Sequence, residues 1–267
     1  MKQLPTPSSL RAVAWNCLLA AAALLGSCKK DPPETPAPAP APLAVYAAGY
    51  ETNAAGRLVA TVWKNGVATA LSNGTTDALA SALAVAGADV YVAGYEVDVA
   101  GRPVAKTWKN GTATALTDGT RNAQANALAL AGADVYVAGY EGNFAGPAVA
   151  KIWKNGTVTA LSDGTRDAQA NAVALAGADV YVAGYEENFA VQYVAKIWKN
   201  GTATALSDGT RNAAAYRLAL AGADVYAAGY ELNGGNVGVA TVWKNGTATA
   251  LTDGTRNAAV FALVLAL

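Results

Sequence analysis

The sequence predicts an all-β fold: a five-bladed β-propeller of four-stranded antiparallel blades, closed by a mixed N- and C-terminal blade. Three observations lead there. Trp63, Trp108, Trp153, Trp198 and Trp243 recur at a constant step of 45 residues, each opening the tetrapeptide Trp-Lys-Asn-Gly. A Val-Tyr-x-Ala-Gly-Tyr phrase keeps the same step from Val45, Val90, Val135, Val180 and Val225. Each step holds four short strand signals, which is the size of one propeller blade.

The third copy shows how each element is read. Asn126 to Leu130 is a short alanine-rich strand, A, ended by the turn Ala131-Gly132-Ala133-Asp134. Alanine disfavours strands, but the segment is too short and too closely bracketed by glycine turns for a helix. Val135 to Tyr140 has the β-branched and aromatic content of strand B. Being apolar on both faces, it suits a strand sandwiched between blades. The loop Glu141–Ala148 follows, then strand C from Val149 to Lys154. Asn155-Gly156 is a strong hairpin signal, because a type I′ turn wants positive φ at both central residues. Thr157 to Leu161 returns as strand D, alternating threonine with small apolar residues as an exposed rim would. Asp163-Gly164-Thr165 turns into the next copy.

The ends of the repeat region carry the closure. The chain enters at strand B with Val45 and leaves after a strand A at Val260–Ala266. Neither end blade is whole alone, yet B, C and D from one end and A from the other make one blade. Such closure removes exposed sheet edges.

The phrase ANALALAGADVYVAGYE, residues 125–141, resembles the first hairpin of bacterial propeller repeats of the NHL and kelch-like kind. The resemblance covers residues 43–267 and implies propeller architecture. The kelch Gly-Gly pair and the Trp-Asp ending of WD repeats are absent.

Residues 1–27 read as a lipoprotein signal peptide. Lys2 and Arg11 precede an apolar run, Ala12–Leu25, too short to span a bilayer. Leu25-Gly26-Ser27-Cys28 resembles the lipobox of bacterial lipoproteins, which implies that Cys28 becomes the acylated first residue. The other reading is an ordinary secretory signal with an incidental cysteine. Residues 28–42 form a proline-rich tether, about 40 Å long if fully polyproline II at ~3.1 Å per residue.

Composition narrows the function classes. Lys and Arg number 19 against 19 Asp and Glu, so there is no electrostatic footprint of a nucleic-acid binder. There is no histidine, which removes His-dependent triads and the commonest metal ligand. Cys17 and Cys28 both precede the repeats, which therefore have no thiol nucleophile. No cofactor, metal or catalytic residue is expected.

Variation among the five copies concentrates in the B–C loops and at the start of strand A, two segments expected on one face. Ser81, Asn126, Asn171, Tyr216 and Phe261 are equivalent, as are Leu79, Gln124, Gln169, Ala214 and Ala259. Arg217 stands where Ala82, Ala127, Ala172 and Ala262 stand in other copies. One reading is a single asymmetric pocket at the channel mouth lined by Gln124, Asn126, Gln169, Asn171, Tyr216, Arg217 and Phe261. The other is drift in segments that tolerate change.

Glu51, Glu96, Glu141, Glu186 and Glu231, with Arg121, Arg166, Arg211 and Arg256, recur on the same face. They are read as solvated pairs between neighbouring elements. The Asn-Gly-Thr sequons are read as hairpin turns, and the five tryptophans as packing within or between blades.

The expected function is a non-catalytic binding or scaffold propeller, lipid-anchored in the bacterial cell envelope, at the outer membrane or cell surface. Its partner would be an extracellular or envelope ligand, a glycan or a protein, with no nucleic acid, and the protein would be a monomer. A lectin-like carbohydrate-binding propeller is the alternative. A glycosidase would need paired carboxylates, for which Asp77, Asp98, Asp167 and Glu187 are the acids outside the common pattern.

Overall fold

The computed structural model describes residues 43–142 and 146–266. The signal-peptide, tether and Cys28 expectations lie outside them. Among the described residues the regular elements are strands, arranged as five antiparallel sheets. The first sheet holds β1 (Tyr46–Thr52), β2 (Leu58–Lys64) and β3 (Val67–Ala70). The second holds β4 (Ala78–Ala86), β5 (Asp89–Val97), β6 (Pro103–Lys109) and β7 (Thr112–Ala115). The third runs β8 (Asn122–Ala131), β9 (Asp134–Gly142), β10 (Ala148–Lys154) and β11 (Thr157–Ala160). The fourth runs β12 (Ala168–Ala176), β13 (Asp179–Glu187), β14 (Tyr193–Lys199) and β15 (Thr202–Ala205). The fifth runs β16 (Ala213–Ala221), β17 (Asp224–Leu232), β18 (Gly238–Lys244) and β19 (Thr247–Ala250).

The Asn-Gly turns take the backbone the sequence asks for. Asn155 has φ 49° and Gly156 φ 83°, and the other four copies match within a few degrees. The asparagine side chain also knits the turn to strand B. Asn155 Oδ1 accepts from Val135 N–H at 2.9 Å, and its Nδ2 donates to Asp134 Oδ1 at 2.7 Å. Both ends of the amide thus serve as a structural tie.

Strand A is bulged in every four-stranded sheet, with the extra residue at Ser81, Asn126, Asn171 or Tyr216. The bulge brings strand A hard against the glycine of the Ala-Gly-Tyr phrase. A Cβ on Gly139 would lie 2.0 Å from the Gln124 carbonyl oxygen, and Gly94, Gly184 and Gly229 meet the same obstacle. Only glycine allows this approach.

Successive sheets stack through their A strands: β4 against β8, β8 against β12, β12 against β16. The D strands lie at the other edge and are exposed throughout, as expected of a rim. The core is a series of inter-blade clusters, each built around a tryptophan of one blade and a leucine of the blade before. Leu71 shares a cluster with Trp108, Leu161 with Trp198, and Leu206 with Trp243, while Leu116 packs on the cluster of Trp153. These four tryptophans are at most 1% exposed.

The ends differ from the expectation of a mixed closing blade. Residues 257–266 form no strand and pair with neither edge of the first sheet. The segment is held to the fifth blade, through Ala258 N–H to Gly238 O at 2.8 Å and Val260 N–H to Gly229 O at 3.1 Å. Among the described residues β1 therefore has no A strand beside it, and Val45 and Tyr50 are exposed.

Candidate functional site

The face that varies among copies is built by tying two loops together. Asn53 Oδ1 accepts from Ala55 and Arg57 N–H, turning the B–C loop, while its Nδ2 donates to Gly74 O in the D–A loop at 2.9 Å. Asn188 and Asn233 repeat the arrangement with Gly209 and Gly254. A second tie joins the start of strand C to the residue before strand A. Asp77, Asp167, Asn212 and Asn257 accept from the N–H of Leu58, Ala148, Tyr193 and Gly238. In the second blade Pro103 opens strand C and has no N–H to give. Asp77 and Asp167, two of the acids a glycosidase would draw upon, thus accept bonds that Asn212 and Asn257 accept equally well.

The bulge residues reach across to the next blade. Asn126 Nδ2 donates to Ala170 O, and Asn171 Nδ2 to Ala215 O, both at 3.0 Å. Tyr216 continues the series by a different contact, stacking on Phe261 with ring centroids 5.4 Å apart. Asn126 and Asn171 are therefore first of all couplers between blades, and Tyr216 couples the fifth blade to the C-terminal segment.

The expected single pocket is divided in two. Tyr216 and Phe261 join Tyr230, Leu232, Gly238, Asn257, Ala258 and Ala259 around an open cavity of about 380 Å³. Arg217, Asn126 and Asn171 line the channel between the A strands, a cavity of about 300 Å³ that includes Ser81. Gln124 and Gln169 line neither; they stand directly across the ladder from Tyr140 and Tyr185. In the other blades the bulge residue and its successor line the channel together, as Asn126 with Ala127 and Asn171 with Ala172. Tyr216 departs from this because it stacks on Phe261, leaving Arg217 in the channel.

The mouth is more aromatic than the sequence pattern implies. Tyr216 also lies 5.8 Å from Tyr230, and Tyr185 lies 4.6 Å from Tyr193. Burial raises the pKa of Tyr95, Tyr140, Tyr185, Tyr216 and Tyr230, which keeps the phenols neutral. Four of these five are the second tyrosine of the Gly-Tyr phrase, which repeats too evenly to stand out as a site.

Arg217 is exposed and donates to the Tyr216 carbonyl at 2.7 Å. Among the described residues no carboxylate pairs with it. Among the described residues three of the recurring glutamates pair with lysines, and none pairs with the recurring arginines. Glu96, Glu141 and Glu186 accept from Lys106, Lys151 and Lys196 of the adjacent strand in the same blade. The end blades carry buried Thr61 and Thr241 at the lysine position. Glu231, left without a lysine, has its pKa raised by burial and by Asp208, with Arg211 pulling the other way.

The opposite face, that of the Asn-Gly turns, carries at least three equivalent grooves among the described residues. One is lined by Tyr136, Ile152, Lys154, Leu161, Val180 and Asn200 and encloses about 240 Å³. Its equivalents 45 residues earlier and 90 earlier enclose about 190 and 180 Å³. Each has an apolar floor between blades. At its edge the ammonium of Lys64, Lys109 or Lys154 lies over a tyrosine ring, 5.1–5.3 Å from the centroid. The groove residues hardly vary among copies, so a comparison of the repeats for difference does not set them apart.

No family model and no curated protein matches the chain.

Proposed function

We propose that the chain is a non-catalytic binding module, with its blades closed into a five-membered ring and its ligand taken at the aromatic mouth. The observation that carries the reading is the cluster of Tyr216, Phe261 and Tyr230 around an open cavity on the face where the copies differ. Flat rings with neutral hydroxyls at their edge suit a ligand that is apolar on one side and polar on the other. The fate of the acids supports a non-catalytic role: Asp77, Asp98 and Asp167 are occupied as loop ties or ion pairs.

Closure is supported by residues that the described arrangement leaves idle. Gly49 occupies the position of Gly94, Gly139, Gly184 and Gly229, yet the nearest atom to a Cβ there is a ring carbon of Trp63 at 3.4 Å. A strand A supplied by the C-terminal segment, with the Ala259 carbonyl in the place of Gln124's, would give Gly49 the constraint its equivalents have, and would cover the open edge of β1. We assign the closed protein to the bacterial cell envelope, anchored through lipid on Cys28 and set off from the membrane by residues 28–42.

The three equivalent grooves favour a second reading, a lectin-like module. Weak sites repeated on one rigid body gain by avidity when the ligand repeats too. The full chain applied to a panel of immobilised glycans and envelope polysaccharides tests both. Loss of binding in Tyr216→Ala supports the mouth; loss in Lys154→Ala with Tyr216→Ala unaffected supports the grooves. Binding that neither substitution weakens contradicts both. For the anchor, Cys28→Ser is expected to abolish partition of the protein into the detergent phase; unchanged partition contradicts it.

A further inference from the structure

We infer that the central channel is an oxyanion site, in which Arg217 binds a carboxylate or phosphate group of the ligand. The inference deepens the binding reading above and rests on it.

The polar lining of the channel consists of the Ser81 hydroxyl, the amides of Asn126 and Asn171, and the Arg217 guanidinium. Each asparagine commits one N–H to the neighbouring blade's carbonyl, at Ala170 and Ala215. A primary amide has two N–H donors, so each keeps one. Arg217 commits a single Nη1 donor to the Tyr216 carbonyl. A guanidinium has five donors in a planar fork, so a pair remains for bidentate recognition of an oxyanion. The channel lining therefore carries one formal positive charge and spare donors, with no carboxylate among its described residues.

Other cations of the molecule are differently placed. Lys106, Lys109, Lys151, Lys154, Lys196, Lys199 and Lys244 each pair with an acid, as do Arg57 and Arg102. Lys64, Arg121, Arg166, Arg211 and Arg256, like Arg217, have no acid partner among the described residues, but Arg217 is the cation that lines the channel, and it replaces the alanine that the other copies carry at this place. Packing does not require it, since the side chain is exposed. A cavity of about 300 Å³ admits a small oxyanion or the charged end of a larger ligand.

Titration of the full chain with inorganic phosphate and, separately, with acetate at low ionic strength tests the inference, by calorimetry or by amide and guanidinium NMR shifts. Saturable binding of at least one anion is expected, weakened at least tenfold in Arg217→Gln and partly kept in Arg217→Lys. Circular dichroism and the thermal midpoint of Arg217→Gln should match the parent. No saturable binding of either anion, or equal binding by Arg217→Gln, overturns the inference. The same titration of Tyr216→Phe separates the two readings. Anion binding that survives while glycan or polysaccharide binding is lost supports the channel as a distinct subsite. Anion binding lost in Tyr216→Phe but kept in Arg217→Gln overturns the assignment to Arg217 and leaves the mouth standing.

Discussion

Leu251 and Trp63 are the two unmatched halves of a contact that the molecule makes between each pair of successive blades. Within the array, a leucine after strand D meets the tryptophan of the next blade, as Leu71 meets Trp108 and Leu206 meets Trp243. Leu251 is 56% exposed where Leu206 is 8%, and Trp63 is only partly covered where Trp243 is 0% exposed. The first and last blades thus present complementary faces, one ending in a leucine and the other in a tryptophan.

The inter-blade contact sets the stability of the array. Trp153 is 1% exposed and joins the second blade to the third. Trp153→Ala is expected to cost about 3–5 kcal/mol. Denaturant unfolding checks this: a midpoint shift equivalent to under about 1 kcal/mol would mean that the blades do not depend on these clusters.

Replacing the missing lysine should stabilise the fifth blade. Thr241→Lys places an ammonium where Lys196 meets Glu186 in the fourth. Glu231 is partly solvated, so the expected gain is modest, about 0.5–1 kcal/mol. The gain should disappear in the double variant with Glu231→Gln, as a double-mutant cycle would show.

Acid should weaken the fold within a defined window. Asp89, Asp134, Asp179 and Asp224 are held below the ordinary aspartate value, first by hydrogen bonds from Lys109, Lys154, Lys199 and Lys244 and then by the turn asparagines. A depressed native pKa contributes stability that is present above the unfolded value and lost as pH falls through the native one. The thermal midpoint should therefore hold level with respect to these groups above about pH 4 and decline below it. Glu231 acts in the opposite sense: its raised pKa means that ionising it costs stability as pH rises. Glu231→Gln should raise the midpoint at about pH 7 and lose that advantage in acid.

The strands, the turns and the repeat are legible in the sequence because each rests on local chemistry. Asn155-Gly156 demands positive φ wherever it sits, and a both-faces-apolar phrase such as Val135–Tyr140 fits a strand covered on both sides. The site is legible only in part. That Tyr216 and Phe261 come together follows from their equivalent positions in successive copies. That Tyr216 leaves the channel for Phe261 while Asn126 and Asn171 stay beside it depends on the bulge geometry, and no local signal marks a bulge in an alanine-rich strand. The lysine partners of the glutamates are hidden for a related reason. Lys151 and Glu141 are ten residues apart and meet only because the B–C hairpin sets the register. The C-terminal segment resembles the other A strands in sequence, but those are held by the strand B of their own sheet, whereas residues 260–266 are paired with no strand B among the described residues.

Gly49 reports whether the C-terminal segment closes the ring. In the four-stranded blades a Cβ at the equivalent glycine collides with a strand A carbonyl, 2.0 Å away at Gly139. Gly139→Ala is expected to cost more than about 3 kcal/mol. If the C-terminal segment completes the first blade, the Ala259 carbonyl takes the place of the Gln124 carbonyl, Gly49→Ala meets the same obstacle, and its denaturant midpoint should fall by a comparable amount in a protein that sediments as a monomer. A Gly49→Ala variant within about 0.5 kcal/mol of the parent, beside a severely destabilised Gly139→Ala, would contradict closure.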